Sequence, residues 1–275
     1  MGGLGGGGGG SSGSDGLQTS LQALEEGVQV EGPLSWKLGA KKAANHYRIP
    51  NVQKESYKET LQVKLFSSKK GHHYNYILSK PLGRGEYREQ YLFIYREDSV
   101  QVKEIYQYED KQEGDEDSFA REPFIVRFES KTTGLKDFAV IPVHTTPKDS
   151  VQEIDELYDV FNVVKKKWKM QRIIFIGDFN ADGAYVSHKK MKSIRLRTDP
   201  SFHWLIDDDA DTTASNTTDC SYDRIVVHDE VFNSIVPGSA KVFNVQKEFK
   251  LTDEEVLADS DHYPVEVELK SAKKK

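Results

Sequence analysis

The stretch RIIFIGDFNAD, residues 172–182, decides how the rest of the chain is read. Ile173, Ile174, Phe175 and Ile176 form an unbroken apolar run that is short, rich in β-branched residues and ended by Gly177. A run of that kind is a strand buried on both faces. Asp178 and Asn180 follow two residues apart. They sit at the strand end, where layered α/β proteins bind ligands because the strand is rigid and the loop is free to carry chemistry. A carboxylate and an amide held there can bind a metal ion and orient a phosphate. The same D-x-N spacing also ends strands in plain Asx turns, so the neighbouring stretches must discriminate.

Upstream, residues 138–143 read as another buried strand, closed by His144. Thr145, Thr146 and Pro147 then open a helix on which Val151, Ile154, Leu157, Tyr158, Phe161 and Val164 form one apolar stripe. Asp149 in its first turn and Lys165, Lys166 and Lys167 in its last match the helix dipole, which accounts for the lysine triplet better than a nucleic-acid patch does. Strand, helix and strand over 138–177 predict a parallel crossover. Further strands are predicted at 74–78, 91–95, 124–128, 224–227 and 265–269, with an apolar stretch at 202–206. PLGRG (81–85) and the acidic run YEDKQEGDED (108–117) read as loops, and HKKMK (188–192) as a basic segment.

Composition narrows the class. A chain of 275 residues with 30% charged side chains can bury a real core. Its longest apolar runs are far short of a membrane span. The net charge of −6 gives no global attraction to a polyanion, which would have to be met by local patches or a bound cation. Cys220 is the single cysteine, which excludes an intrachain disulfide and suits a reducing compartment. The start, MGGLGGGGGGSSGS, lacks the charged and apolar regions of a signal peptide and is expected to be a disordered tail over 1–16. Residues 17–73 carry only weak patterning.

Polar residues recur at the strand junctions: His144, Asp178 with Asn180, Asp223, and Asp261 with His262. Each lies at one end of a short apolar strand, so one sheet edge can gather them all. Two histidines, three aspartates and an asparagine suit metal-assisted phosphodiester hydrolysis. A hard cation takes one or two carboxylates and substrate oxygens, and a histidine polarised by a carboxylate can move the proton of water. One such histidine alone is usually a structural residue. Four junctions together point to a site.

Those residues sit in stretches that resemble the deoxyribonuclease I family, within the endonuclease/exonuclease/phosphatase superfamily. The matching segments are PLGRGEYREQYLFIYR (81–96), SFAREPFIVRF (118–128), IPVHTTPKDSVQEIDELYDVF (141–161), GDFNADGAYV (177–186), FHWLIDDDADTTAS (202–215), YDRIVV (222–227) and SDHYPVEVELK (260–270). Segment ADGAYVSHKKMKSIRLRTD looks most like the deoxyribonuclease-1-like 4 type. The resemblance implies an α/β fold, a four-layer sandwich of two packed mixed β-sheets flanked by helices, spanning 74–270 with a basic tail at 271–275. It also implies an endonuclease that hydrolyses double-stranded DNA to 5′-phosphate products with Mg²⁺ and Ca²⁺, or Mn²⁺ in their place. Position by position, it implies that Glu89 pairs with His144 and Asp223 with His262 on opposite sides of the scissile phosphate. Asp178 and Asp261 would hold the cation or order the nucleophile, and Asn180 would donate to the phosphate. Arg84, Tyr87, Arg121 and Tyr185 match positions along bound DNA, the tyrosines in the minor groove, and Tyr222 adjoins the site. A monomer acting on DNA in the cytoplasm or nucleus is expected, or a secreted one if the true amino terminus lies elsewhere.

Two departures qualify these expectations. The family's disulfide near the site would join positions occupied here by Gly183 and Cys220, so Cys220 is expected to be unpaired. The family's first strands, which carry an Asn and a Glu metal ligand, have no counterpart before Tyr74 beyond a faint echo in VQKE (52–55), where Glu55 is the candidate ligand. The amino-terminal part of the family domain is therefore expected to be missing or replaced, as in a truncated or misassembled reading frame. That leaves a catalytically impaired DNA- or protein-binding relative as the alternative. A phosphatase of the same superfamily is disfavoured by the block of Arg84, Tyr87, Glu89 and Arg121, which matches the nuclease branch.

Overall fold

The computed structural model describes residues 35–38, 73–84, 88–111 and 117–272. The glycine-rich tail, most of 17–73, and the candidate residues Glu55 and Tyr87 lie outside the described residues. In chain order the strands are β1 (Ser35–Leu38), β2 (Tyr74–Leu78), β3 (Leu92–Arg96), β4 (Val100–Gln107), β5 (Phe124–Ser130), β6 (Asp137–His144), β7 (Ile173–Asp178), β8 (Phe202–Trp204), β9 (Asp223–His228), β10 (Lys241–Val242) and β11 (Val265–Glu268). The long helix α1 (Ser150–Trp168) joins β6 to β7. Five short helices follow: α2 (His188–Met191), α3 (Arg195–Thr198), α4 (Asp229–Phe232), α5 (Val245–Phe249) and α6 (Asp253–Asp259).

Six strands form one mixed sheet in the order β4-β5-β6-β7-β9-β8. Among the described residues its one parallel pair is β6 with β7, the crossover predicted from the strand–helix–strand pattern. Strand residues alternate between two cores because successive side chains point to opposite faces. Ile125, Ala139, Ile141, Ile173, Phe175 and Val226 face α1, where Ile154, Leu157, Val160, Phe161 and Val164 meet them. Val126, Phe138, Val140, Ile174, Ile176, Ile225 and Val227 face a second β layer, where Phe93, Val265 and Val267 lie. That layer consists of the ribbon β2–β3 and the antiparallel sheet β1-β11-β10. Helix layer, mixed sheet and second β layer make the α/β sandwich, with the buried runs of β6, β7 and β9 at its centre.

Some local expectations shift. Asp149 occupies the N-cap of α1 rather than its first turn and makes no side-chain cap, while Glu153 is the first-turn acid. The helix ends on Lys169 in the left-handed region, after the three lysines of its last turn. Val160 and Trp168 join the buried stripe, and Val151 and Tyr158 lie at its margin. Strands β1, β4 and β10 lie outside the strands that sequence patterning predicts. Charged Lys103 and Glu104 interrupt the alternation of β4, as suits a strand at the sheet edge.

Gly177 shows how tightly the central strands are seated. Its φ is +141°, and a Cβ there would lie 2.1 Å from the carbonyl oxygen of Val143 on β6. No side chain fits between the two strands at this level. Gly177→Ala is therefore expected to lower stability by on the order of 3 kcal/mol or more in a denaturant titration. Gly134→Ala, whose Cβ would meet only ordinary contacts at 3.6 Å and beyond, is expected to stay within about 0.5 kcal/mol of the parent. Equal midpoints for the two variants would contradict this seating.

Candidate active site

The register of the central sheet places three chemically capable residues in one row. His144 is the Cα partner of Asp178 across β6 and β7. Asp178 is in turn the partner of Asp223 across β7 and β9. β9 runs antiparallel to β7, so its first residue lies at the same edge as the last residues of β6 and β7. With neighbouring strands about 4.8 Å apart, the row from His144 to Asp223 spans about 10 Å.

A carboxylate holds a histidine at each end of this row. Glu89 reaches His144 with Oε2 2.7 Å from Nδ1, and the pair is largely shielded from solvent. Glu89 is itself fixed by two backbone hydrogen bonds to Leu82, each 2.8 Å. At the other end, His262 Nδ1 lies 2.6 Å from Asp223 Oδ2. Between the two dyads, Asp178 Oδ2 stands 3.7 Å from His144 Nε2. In both dyads the carboxylate engages Nδ1, which leaves Nε2 as the nitrogen for proton transfer.

The loops are fixed by Asn180 and by several groups that sequence patterning does not single out. Asn180 takes a φ of +46°, a conformation its short polar side chain tolerates. Its backbone N–H donates to Asp178 Oδ1 at 2.8 Å and its side-chain amide donates to the Thr145 carbonyl at 3.0 Å. Thr145 donates to the Phe179 carbonyl at 2.8 Å, so the β6 and β7 loops brace one another. Buried Glu153 accepts the Thr146 N–H at 3.0 Å, and burial raises its pKa. Thr212 Oγ1 accepts the N–H groups of both Tyr222 and Asp223, at 3.0 and 3.1 Å. Arg224, 1% exposed, donates to the carbonyls of Ser221, Ile206 and Asp207 and to Asp208 Oδ1. Sequence patterning cannot find Thr145, Glu153, Thr212 and Arg224, because each acts through a loop distant along the chain or through a turn of no distinctive composition.

The expected DNA contacts divide by environment. Arg121 donates to the His144 carbonyl at 3.0 Å and sits 3.5 Å from Glu89, so its guanidinium braces the first dyad. Arg84 is half-exposed and pairs with Asp117 and Asp149. Tyr185 is exposed and its ring lies 5.4 Å from that of Tyr222, which lies 6.0 Å from the imidazole of His262. Gly183, where a family cysteine would stand, is a neighbour of the free Cys220: a Cβ on it would be 3.2 Å from the Cys220 Sγ.

The electrostatics follow from burial. Asp223 is pushed up to about 6 by burial and by the charge of Asp178, against the pull of His262. For His262, burial works against the charged ring, but the hydrogen bond and charge of Asp223, with Asp178 and Asp261 beyond, outweigh it and raise the pKa to about 9. His262 is therefore an imidazolium at neutral pH in this geometry. For a hard divalent cation, Asp178 and Asp261 offer the right donor chemistry, since Mg²⁺ takes one or two carboxylates and completes its shell with water and substrate oxygens. Among the described residues no group of three His, Cys, Asp or Glu side chains gathers into a full cage.

The chain is similar to known proteins over most of its length. The Endonuclease/Exonuclease/phosphatase family matches residues 28–262, which takes in part of the stretch ahead of Tyr74. The chain is 54% identical over 208 residues to deoxyribonuclease gamma of Homo sapiens, covering 75% of this chain and 68% of that protein. It is 50% identical over 198 residues to deoxyribonuclease-1 of Bos taurus, covering 71% and 70%. Among solved structures, the human Nocturnin catalytic domain with bound sulfate superposes with a TM-score of 0.52 at 14% identity, over 79% of this chain and 78% of that one. That is a likeness of fold alone.

The second dyad can be measured directly. In a histidine NMR titration His262 is expected to lose its proton at about 9, and in Asp223→Asn at a pH near or below the ordinary 6.5, because burial persists when the carboxylate charge is gone. An unchanged midpoint in the variant would show that Asp223 does not hold the ring.

Proposed function

The chain belongs to the endonuclease/exonuclease/phosphatase family as a deoxyribonuclease I relative, and on that premise we propose that it hydrolyses phosphodiester bonds within double-stranded DNA. The observation that carries this reading is the pair of carboxylate–histidine dyads, Glu89–His144 and Asp223–His262, standing on either side of Asp178 at one sheet edge. One imidazole takes the proton of the attacking water while the other gives a proton to the leaving 3′ oxygen. The P–O3′ bond breaks, which leaves a 5′-phosphate and a 3′-hydroxyl. The hydrogen bond and charge of Asp223 favour the protonated ring of His262, which suits it to the donor role. Glu89 and Asp223 orient the rings and stabilise their charged forms.

Asp178 and Asp261 would hold a Mg²⁺ or Ca²⁺ ion, which supplies Lewis-acid neutralisation of the phosphate charge when bound. The Asn180 side-chain amide spends one N–H on the Thr145 carbonyl, and its second N–H would donate to a phosphate oxygen. Tyr185 and Tyr222 continue the edge outward as a pair of rings that would lie along the minor groove, and exposed Arg84 would exchange its carboxylate partners for a phosphate.

A supercoiled-plasmid nicking assay with Mg²⁺ and Ca²⁺ tests the proposal. The parent is expected to nick and then linearise the plasmid, and His144→Ala and His262→Ala to be slower by roughly 100- to 10 000-fold. Duplex binding without nicking by the parent would assign the chain to a DNA-binding role instead. Release of inorganic phosphate from a small phosphomonoester would favour a phosphatase.

A further inference from the structure

Helix α2 lies just past Tyr185 and carries positive charge that the fold itself does not use. His188, Lys189, Lys190 and Lys192 are all exposed, and no ion pair of theirs is formed among the described residues. The arginines that follow are different. Arg195 is held by Asp155 at 2.8 Å and Asp159 at 2.6 Å, and Arg197 by Asp208 at 2.7 Å. Within one basic segment, then, the arginines fasten the turn to its neighbours and the lysines are left facing solvent.

The turn is also rigidly placed. Val186, Met191 and Ile194 are buried in the core beneath α1, and Ser187 accepts the Lys190 N–H as its cap. Tyr185 precedes it directly and is stacked toward Tyr222, which is stacked toward His262. A continuous line therefore runs from the second dyad, across two rings, to a cluster of three lysines. The chain as a whole is acidic, with a net charge of −6, so such a local concentration of cations is the means by which it can meet a polyanion.

We propose that Lys189, Lys190 and Lys192 form a phosphate rail that binds the backbone of a DNA duplex several base pairs beyond the bond being cut. This deepens the nuclease reading and rests on it. The rail touches no reacting atom. It contributes affinity and alignment through counterion release, a salt-dependent effect independent of base sequence. The cations at the far end of α1 give a matched comparison. Lys165, Lys166 and Lys169 are equally exposed but line a cleft with Glu230 and Arg172, beside the start of β7 rather than its end.

The test uses the full chain with His144→Ala, so that binding is read without cleavage, and a fluorescent duplex titrated over a range of NaCl concentrations. Adding K189Q/K190Q/K192Q is expected to weaken binding about 10-fold or more at moderate salt. The same change is expected to make the log–log salt slope shallower by about 2 to 3, roughly one unit or slightly less for each phosphate that a lysine no longer neutralises. K165Q/K166Q/K169Q, an identical change of net charge, is expected to leave the slope within about half a unit of the parent. With His144 intact, the rail variant is expected to raise KM and leave kcat unchanged. An unaltered slope in the rail variant, or an equal loss in both triple variants, would overturn the rail while leaving the nuclease reading standing. Failure of the parent to bind duplex at any salt concentration would overturn both.

Discussion

The structure depends on how closely β6 and β7 approach one another at Gly177. Without a side chain at that position, the Val143 carbonyl of β6 occupies space that any other residue would fill. The parallel register that results puts His144 beside Asp178, and the antiparallel entry of β9 puts Asp223 beside them. The site is thus the edge of a packed core and not a feature of mobile loops. Buried runs such as Ile173–Asp178 supply the apolar burial that drives the fold and, by where they stop, the alignment of the polar row.

Gathering that row has an electrostatic cost. Asp223 is 2% exposed and stands beside Asp178, so burial and the neighbouring carboxylate both oppose its charged form. The structure offsets this locally. His262 faces Asp223, and the Thr212 hydroxyl fixes the backbone on which Asp223 stands. Arg224 follows it in the chain with its side chain fully buried, tied to three carbonyls and one carboxylate over the Trp204 ring. A buried guanidinium satisfied in this way holds the 206–208 loop and the start of β9 in one piece. Removing it would take the guanidinium donor from the Ser221 and Ile206 carbonyls, while the Asp207 carbonyl would keep the Ser221 hydroxyl and the Ala210 N–H. The first dyad has a comparable support in Arg121, which holds the His144 carbonyl, and Glu153, which holds the Thr146 N–H just after it.

Much of this is legible in the sequence wherever a physical signal is local. The double-sided burial of β6, β7 and β9 follows from unbroken apolar runs, and α1 from its stripe. The junction residues follow from the places where those runs stop. Strand β4 escapes such a reading because an edge strand need bury only part of itself, and VQVKEIYQ does not alternate cleanly. β1 escapes because four residues, SWKL, carry too little pattern, and its reality lies in pairing with β11 over two hundred residues away. Thr212, Arg224 and Glu153 escape for the same reason. Their importance is a matter of which loop they reach, and only the assembled sheet determines that.

The arginines and lysines near the site show how an acidic protein can divide its cations between holding itself together and meeting a ligand. Arg121 lies against Glu89 with both side chains mostly buried, at 11% and 17% exposure. It also donates to the His144 carbonyl, and Glu89 holds the ring of the same histidine, so the Arg121 guanidinium braces the dyad from within. Arg84 pairs with Asp117 at 43% and 72% exposure, where water screens the pair and little is lost when a phosphate replaces the carboxylate. Lys189, Lys190 and Lys192 have no such ion-pair partner among the described residues to give up. The freedom of these cations to engage a phosphate rises as their carboxylate partners become more exposed or fall away. The rigid chemistry stays at the centre of the sheet, and the salt-sensitive binding is carried by groups whose movement cannot disturb it.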